Sequence, residues 1–178
     1  MTCLIELHCL PSIAYFSCLS ACDTVVLERQ EHFIKQTFRN RYVINTTQGP
    51  ERLVIPVKAR HGKPMIHEVV IDYSQKWLNN HIRAIESAYR KAPFYEHYAD
   101  ELFAVLYRKP HFLYDLNLEL LTICLKWLKL GIKVRETLSY EKAPAADLVD
   151  LRNVIDAKNP DRYAHLFTPV PYHQVFGK

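Results

Sequence analysis

Four residues near the start of the chain combine an imidazole, a phenol and the backbone geometry of a ligand site: His8, Pro11, Ser12 and Tyr15. The apolar run before His8 predicts a strand, and the run after Pro11 predicts a helix. Ligands collect where the carboxyl ends of strands and the amino ends of helices meet in α/β proteins. There, His8 and Tyr15 are candidate catalytic residues, and Pro11 and Ser12 are candidate ligand-binding residues. The alternatives are a strand histidine bonded to backbone and a core aromatic ring.

A second segment, residues 35–41, supplies donors for an anion. Lys35 offers a mobile point charge, Asn40 an amide and Arg41 a planar fork suited to phosphate or carboxylate. We expect these three side chains to bind an anionic ligand, and the alternative is a surface loop with incidental charge. His81 lies on the apolar face of a predicted helix. It is either a core histidine or, where that face borders the site, a further ligand-binding residue.

The chain lacks the motifs of several common reaction classes. It has no glycine-rich phosphate loop, no His-Glu-x-x-His motif and no Gly-x-Ser-x-Gly motif. Its 5 cysteines are an odd number without zinc-finger spacing, so we expect no disulfide framework and thiols that pack as small apolar groups. The sequence therefore predicts no metal site, and it leaves the cofactor undetermined.

Composition indicates an ordinary globular protein. The 178 residues are 49% hydrophobic and 24% charged, which suffices for a core. A net charge of +4 does not favour nucleic-acid binding, although arginine, lysine and aromatic residues alternate over 29–42. No apolar run approaches the roughly 20 residues of a membrane span, and the first residues carry no basic leader. We expect no membrane partner and a cytoplasmic location.

Residues 1–72 are predicted to be rich in strands. The predicted elements are a strand over 3–8, a helix over 13–22, a strand over 24–27, a hairpin with strands 42–45 and 53–57, and a strand over 68–72. The first three form a β-α-β unit, and strands joined by such a crossover are parallel. The Gly and Pro between the hairpin strands mark its turn.

Residues 74–131 are predicted to be helical, and a returning strand with an irregular tail follows over 132–178. The predicted helices run from a Ser74 cap to Tyr89, from Phe94 to Tyr107, and from an Asp115 cap to Leu130. Residues 134–140 predict a strand of the same sheet, and residues 147–152 predict a helical turn. The predicted fold is α/β, a single domain of residues 1–178 with one mixed sheet and helices packed on it.

One combination of short runs extends along nearly the whole chain. Its members are 10–16 (LPSIAYF), Asp23, Phe33 and Lys35 with Asn40 and Arg41, 87–95 (SAYRKAPFY), 115–117 (DLN), 130–132 (LGI), 150–152 (DLR) and 174–176 (QVF). Each run is common by itself, whereas the combination is specific. It resembles the WbqC-like family.

The resemblance implies a role in bacterial O-antigen and related polysaccharide synthesis. For some members it implies glycine transfer, which forms an amide on an amino sugar. Two positions depart from the family pattern: Ala14 stands where glycine is common, and residues 29–32 (RQEH) stand where an acidic stretch is common. Relatives continue beyond Lys178 into a further apolar segment, so the resemblance also implies that a carboxyl-terminal segment is missing.

A second, more distant similarity concerns topology. The strand, proline loop and helix followed by residues 21–26 (ACDTVV) look like the start of the nucleotidylyltransferase and pantothenate-synthetase folds. Both signature histidines of those folds are missing from residues 12–15. The similarity therefore implies a Rossmann-like β-α-β unit rather than a particular reaction.

The leading hypothesis is a cytoplasmic transferase that moves a small activated group, glycyl or acyl, onto an amino sugar carried by a nucleotide. Lys35, Asn40 and Arg41 would hold the phosphates. His8 and Tyr15 would orient the nucleophile or relay its proton. The expected partner is a nucleotide-sugar or another anionic small molecule.

Two other function classes stay open. One is a non-catalytic module that binds a sugar nucleotide or nucleic acid, and the other is an ATP-dependent ligase that forms an acyl-adenylate. The orientation of His8 separates an enzyme from a binding module. A His8 that points away from Lys35 and Arg41 deprives catalysis of its best candidate.

Overall fold

The computed structural model describes residues 1–59, 62–168, 170 and 175–176. Its strands are β1 (Thr2–Glu6), β2 (Thr24–Glu28), β3 (Arg41–Thr46), β4 (Gly49–Val54), β5 (Lys133–Glu136) and β6 (Leu148–Asp150). Its α-helices are α1 (Ile13–Ser20), α2 (Trp77–Tyr89), α3 (Tyr95–Tyr107) and α4 (Leu113–Trp127). The buried apolar side chains of these elements form one contiguous cluster.

The main sheet has four strands in the order β5-β2-β1-β6, and every neighbouring pair is parallel. The predicted β-α-β unit is confirmed, because β1 and β2 pair in parallel on either side of α1. The central strands carry buried apolar side chains, as expected for a parallel sheet that is covered on both faces. All four carboxyl ends consequently lie along one edge of the sheet.

Strands β3 and β4 form a separate antiparallel hairpin, which confirms the predicted hairpin. Its turn is tighter than expected, because β3 continues to Thr46 and β4 begins at Gly49. Gly49 has a φ of 102°, a backbone conformation that favours glycine. The fold is therefore α/β as predicted, but the expected single mixed sheet is wrong. The parallel strands and the antiparallel hairpin belong to two sheets.

Two local predictions are wrong. The expected strand over 68–72 is a short 3-10 helix, Ile66–Glu68, followed by isolated bridges from Val70 and Ile71. The expected helical turn over 147–152 is instead strand β6, which pairs with β1. In both places the partner segment decides the local structure, and short apolar runs do not reveal their partners.

The three long helices are confirmed, although two predicted caps are wrong. Ser74 lies before α2 and bonds the Asp72 carboxylate through its backbone N–H and its hydroxyl. Lys76 occupies the cap position. Helix α4 begins at Leu113, so Asp115 lies in its first turn, where a carboxylate suits the helix dipole.

Cys3 and Cys22 form a disulfide, so the expectation of no disulfide is wrong. The crossover through α1 returns the chain beside the start of β1 and leaves the two Cα atoms 6.3 Å apart. Cys9, Cys18 and Cys124 are free. Disulfides are rare in reducing compartments, so this disulfide does not favour the expected cytoplasmic location. Among the described residues, no helix is long and apolar enough to cross a membrane.

Candidate functional site

Each strand of the parallel sheet ends in an acidic residue: Glu6, Glu28, Glu136 and Asp150. Glu6 and Glu28 lie opposite each other in the register of β1 and β2, and they are 1% and 0% exposed. Buried carboxylates are costly unless cations and hydrogen bonds compensate them. The side chains around this edge supply that compensation.

Arg152 joins β6 to β2. Its guanidinium donates to both carboxylate oxygens of Asp150, at 2.9 and 2.8 Å, and to Glu28 at 3.0 Å. Glu28 also accepts a 2.6 Å hydrogen bond from the Thr137 hydroxyl. The side chain of Asp150 raises the pKa of Arg152 above its usual value, so this arginine carries its charge at every physiological pH.

Arg39 and Glu31 form a second buried ion pair of the site. The guanidinium donates to both carboxylate oxygens, at 2.6 and 2.5 Å, and Arg39 is 1% exposed. Burial alone would lower the pKa of Arg39, but the Glu31 carboxylate holds it above its usual value. A bidentate pair fixes direction as well as charge. The Glu31 carboxylate is therefore held rigidly and is neutralised.

Glu6 connects this pair to β1. Its carboxylate lies 2.9 Å from His8 Nε2 and accepts the backbone N–H of Asn153 at 2.8 Å. Burial alone would raise the pKa of Glu6, but the hydrogen bond and charge of His8 and the charge of Arg39 hold it below its ordinary value. Glu6 is thus ionised. Since a carboxylate only accepts, His8 Nε2 carries the proton.

We call these groups the carboxylate network; its members are Glu6, Glu28, Glu31, Glu136, Asp150, His8, Arg29, Arg39 and Arg152. Among the described residues, no group of three or more His, Cys, Asp or Glu is arranged to hold a metal ion. Arginine guanidinium groups occupy the places beside most of these carboxylates. The arrangement suits a rigid polar surface.

A cavity of about 930 Å³ lies against the carboxylate network. Four polar residues of the lining, which we call the polar wall, are Gln30, Glu31, Tyr140 and Asn153. Three lysines of the lining, which we call the cationic rim, are Lys35, Lys58 and Lys63. Over the described part of the chain, no hydrogen bond or ion pair engages these three ammonium groups. The rest of the lining includes His32 and apolar side chains such as Phe33, Val57, Met65 and Val69.

The cavity can bind a ligand with two chemically different ends. Free lysine ammonium groups attract phosphate or carboxylate as point charges. The polar wall offers amide, phenol and carboxylate groups, which bond hydroxyl and amide groups of a ligand. Parallel sheets bind their ligands at this edge, and the cavity is large enough for a nucleotide-sized molecule.

His8 and Tyr15 lie together, as the predicted catalytic pair requires, with ring centroids 4.9 Å apart. Both are buried, and neither lines the cavity. The Tyr15 hydroxyl donates to the backbone carbonyl of Glu6 at 3.0 Å. In this structure the two side chains hold Glu6 in place from within the protein. The arrangement therefore offers no direct contact between either side chain and a ligand in the cavity.

Replacing Tyr15 by phenylalanine tests this structural role. The change removes one buried hydrogen bond, so we expect the free energy of unfolding to fall by about 1 kcal/mol. Ligand binding should stay within about twofold of the wild-type affinity, because the hydroxyl does not reach the cavity. Urea denaturation and calorimetric titration of both proteins check the two values. A loss of binding with unchanged stability would contradict this role and show that the Tyr15 hydroxyl takes part in ligand binding.

The other predicted ligand residues separate in space. Lys35 lines the cavity, whereas Asn40 and Arg41 are buried and lie outside its lining. The Asn40 amide donates to the Ile55 carbonyl at 3.0 Å, and Arg41 donates to the Gln36 carbonyl. The structure thus does not assemble the expected three-donor anion clamp. Asn40 and Arg41 instead fix the start of the hairpin.

Pro11 and Ser12 precede α1 outside the cavity. Ser12 is exposed and occupies the cap position of the helix, where its hydroxyl makes no capping hydrogen bond. The helix is short, at 8 residues. Neither residue lies in the lining with Lys35, so binding by Pro11 and Ser12 stays a prediction without support from the geometry.

His81 lies in the core beside Trp77, with ring centroids 5.0 Å apart. Its Nδ1 is 3.0 Å from the Tyr42 hydroxyl. Burial lowers the pKa of His81 to about 4, so its imidazole is neutral at physiological pH. This is the arrangement of a core histidine, and His81 does not line the cavity.

Sequence reasoning missed Glu31, Asn153, Lys58 and Lys63. A polar segment rich in Lys, His and Gly separates the hairpin from α2, and it supplies two of the three lysines of the cationic rim. The usable signal at the sheet edge is an acidic residue that ends each strand. That signal becomes visible only once β5 and β6 are recognised as strands of the same parallel sheet.

Comparison with known proteins agrees with the resemblance drawn from the sequence. The profile of the WbqC-like protein family matches residues 8–172. The uncharacterized protein Rv1507c of Mycobacterium tuberculosis (strain ATCC 25618 / H37Rv) is 28% identical over 144 residues. That alignment covers 79% of this chain and 61% of the relative, so the chain spans about three fifths of the relative's length. No solved structure matches the chain. The chain belongs to the WbqC-like protein family.

Proposed function

We propose that the cavity binds a nucleotide-linked sugar and that the protein is a transferase of bacterial surface polysaccharide synthesis, including O-antigen synthesis. The transferred group is glycyl or acyl, and its acceptor is an amino sugar. One observation carries the binding part of the proposal: three lysines with no partner among the described residues line the same cavity as Glu31 and Asn153, at the carboxyl edge of a parallel sheet.

Charge supports phosphate as one end of the ligand. Lys35, Lys58 and Lys63 bring three positive charges to the rim, while Arg39 neutralises Glu31, the acidic residue of the polar wall. The lining therefore attracts anions, despite the many carboxylates nearby. A diphosphate can contact more than one ammonium group, and each charged hydrogen bond contributes about 1.5 to 3 kcal/mol.

The β-α-β unit supports a nucleotide as the carrier. It resembles the opening unit of nucleotidylyltransferase folds, although the signature histidines are missing. A ligand of this class is an intracellular metabolite, so the proposal includes a cytoplasmic location. That location now rests on the ligand class alone.

The transfer reaction rests on family membership rather than on the site. One observation favours a second function, a non-catalytic sugar-nucleotide binding module. His8 and Tyr15 are buried and do not line the cavity. Incubating the protein with a UDP-linked amino sugar and a glycyl thioester distinguishes the two. Amide formation with release of the thiol supports the transferase, and unchanged bound sugar nucleotide supports the binding module.

Replacing Lys58 by glutamine tests the binding part of the proposal. A ligand that binds only the folded state raises the melting temperature. We expect nucleoside diphosphates and their sugar-linked forms to raise it in the wild type. We expect Lys58→Gln to weaken their affinity by about tenfold, because one charged contact is lost.

Lys91→Gln is the matched control, since Lys91 is an exposed lysine outside the lining. It removes the same charge from the molecule and should leave the affinity unchanged. A panel of uridine, guanosine and thymidine diphosphates with their sugar-linked forms that shifts no melting temperature would overturn the proposal. Equal losses in the two variants would show that net charge, rather than the cavity, attracts the ligand.

A further inference from the structure

Asn153 connects the carboxylate network to the cavity. It follows β6, has a φ of 57° and lines the polar wall. Its backbone N–H donates to Glu6 at 2.8 Å, and its Oδ1 accepts a 3.1 Å hydrogen bond from Arg39. Asparagine is one of the few residues that adopt this left-handed backbone conformation readily. Backbone and side chain are thus both fixed.

The contact with Arg39 determines which way the Asn153 amide faces. A guanidinium only donates hydrogen bonds, so the amide atom beside it has to be the oxygen. The nitrogen, with its two N–H donors, is therefore the other atom of the amide. Within the ranges that the structure describes, no acceptor bonds Nδ2. Asn153 is exposed and lines the cavity, and the contact of its Oδ1 with Arg39 orients the donor pair that is left for a ligand.

The groups around this amide leave it suited to binding uncharged groups of a ligand. Glu31 lies on the same wall, but its charge is neutralised by the bidentate contact with Arg39. The lysines of the cationic rim carry positive charges, whereas the Asn153 amide is uncharged. An ammonium group is therefore the better partner for a phosphate, and the Asn153 amide is the better partner for a hydroxyl or amide oxygen.

We propose that Asn153 donates from Nδ2 to a hydroxyl or acylamino oxygen of the sugar part of the ligand, and so determines specificity for sugar-linked over free nucleoside diphosphates. This inference rests on the proposed function, because it assigns the second half of the same ligand. Arg39 acts as a positioning residue, and Asn153 as the residue in contact. Since the amide is held before the ligand arrives, binding requires no further ordering of this side chain.

The test compares matched ligand pairs: UDP with UDP-N-acetylglucosamine, GDP with GDP-mannose, and thymidine diphosphate with its glucose conjugate. Calorimetry gives the affinity ratio between the sugar-linked and the free form. Asn153→Gly keeps the left-handed backbone without strain and removes the amide. We expect the ratio to fall by about three- to tenfold, the size of one neutral hydrogen bond, while the affinity for the free diphosphate is unchanged.

Lys58→Gln is the contrasting variant, because it should weaken both members of a pair and leave their ratio unchanged. Asn153→Asp provides a second test that retains the Arg39 contact. Its added negative charge affects both members of a pair, so the ratio should still fall. A wild-type ratio of one, or a ratio unchanged by both Asn153 variants, would overturn the inference while leaving diphosphate binding intact. Failure of every diphosphate and sugar-linked form to bind overturns the proposed function as well.

Discussion

Replacing Arg39 by methionine is expected to lower the free energy of unfolding by about 3 to 5 kcal/mol. The change leaves the Glu31 carboxylate buried without its bidentate partner, and removing one member of a buried ion pair costs this much. It also removes the donor that orients the Asn153 amide. Urea denaturation of the wild type and the variant measures the difference.

Two further variants isolate the cause of this loss. Arg108 pairs with Glu119 at the surface, where the side chains are 62% and 39% exposed. Arg108→Met should therefore cost no more than about 1 kcal/mol. The double variant Arg39→Met with Glu31→Leu removes both buried charges and should recover most of the lost stability. Similar losses at Arg39 and Arg108, or no recovery in the double variant, would contradict the assignment of a buried pair.

Acidification is expected to cost about 3 kcal/mol of stability through His81 alone. Burial lowers the pKa of His81 from its ordinary value of 6.5 to about 4. Because the unfolded chain takes up the proton first, the full stability is present above pH 6.5. It is lost progressively as the pH falls from 6.5 to about 4, at 1.36 kcal/mol for each unit of pKa difference.

Urea denaturation at a series of pH values measures this dependence, and the imidazole resonances of His81 report its titration directly. His81→Gln should flatten the curve between pH 6.5 and 4, apart from what other groups contribute. His97→Gln provides a control at an exposed histidine and should leave the slope unchanged. A His81 imidazole that titrates near pH 6.5 in the native protein would show that the side chain is solvated.

The elements with strong periodic patterns were predictable from sequence. Helix α2 has apolar residues at spacings of three and four, and the β-α-β unit alternates between two clear periods. Strand β6 was not predictable, because it has only three residues and is defined by its pairing with β1. The disulfide could not be predicted for a related reason. Cys3 and Cys22 are neighbours only because α1 returns the chain to the start of β1.

The location of the candidate site could be predicted from sequence, but most of its residues could not. The carboxyl edge of the sheet and Lys35 follow from local patterns, whereas the acidic strand ends require the strand bounds and the pairing of β6 with β1. The pairing of Arg39 with Glu31 could not be predicted from sequence, because the residue type alone does not show whether a basic side chain is buried or exposed. Asn153 lies 114 residues from Arg39, and no periodicity connects positions that far apart.

The candidate site depends on the short strand β6, which comes late in the chain, so the site forms late in folding. Within the part of the chain that the structure describes, it lies at the edge of the sheet and pairs only with β1, and Arg152 and Asn153 follow it closely. During synthesis, the polar wall cannot form until the chain has grown past residue 153 and β6 has docked. A ligand that needs this wall binds only chains in which the edge strand is in place. Ligand binding would therefore reduce the fraying of β6. It would also indicate that β6 has paired with β1.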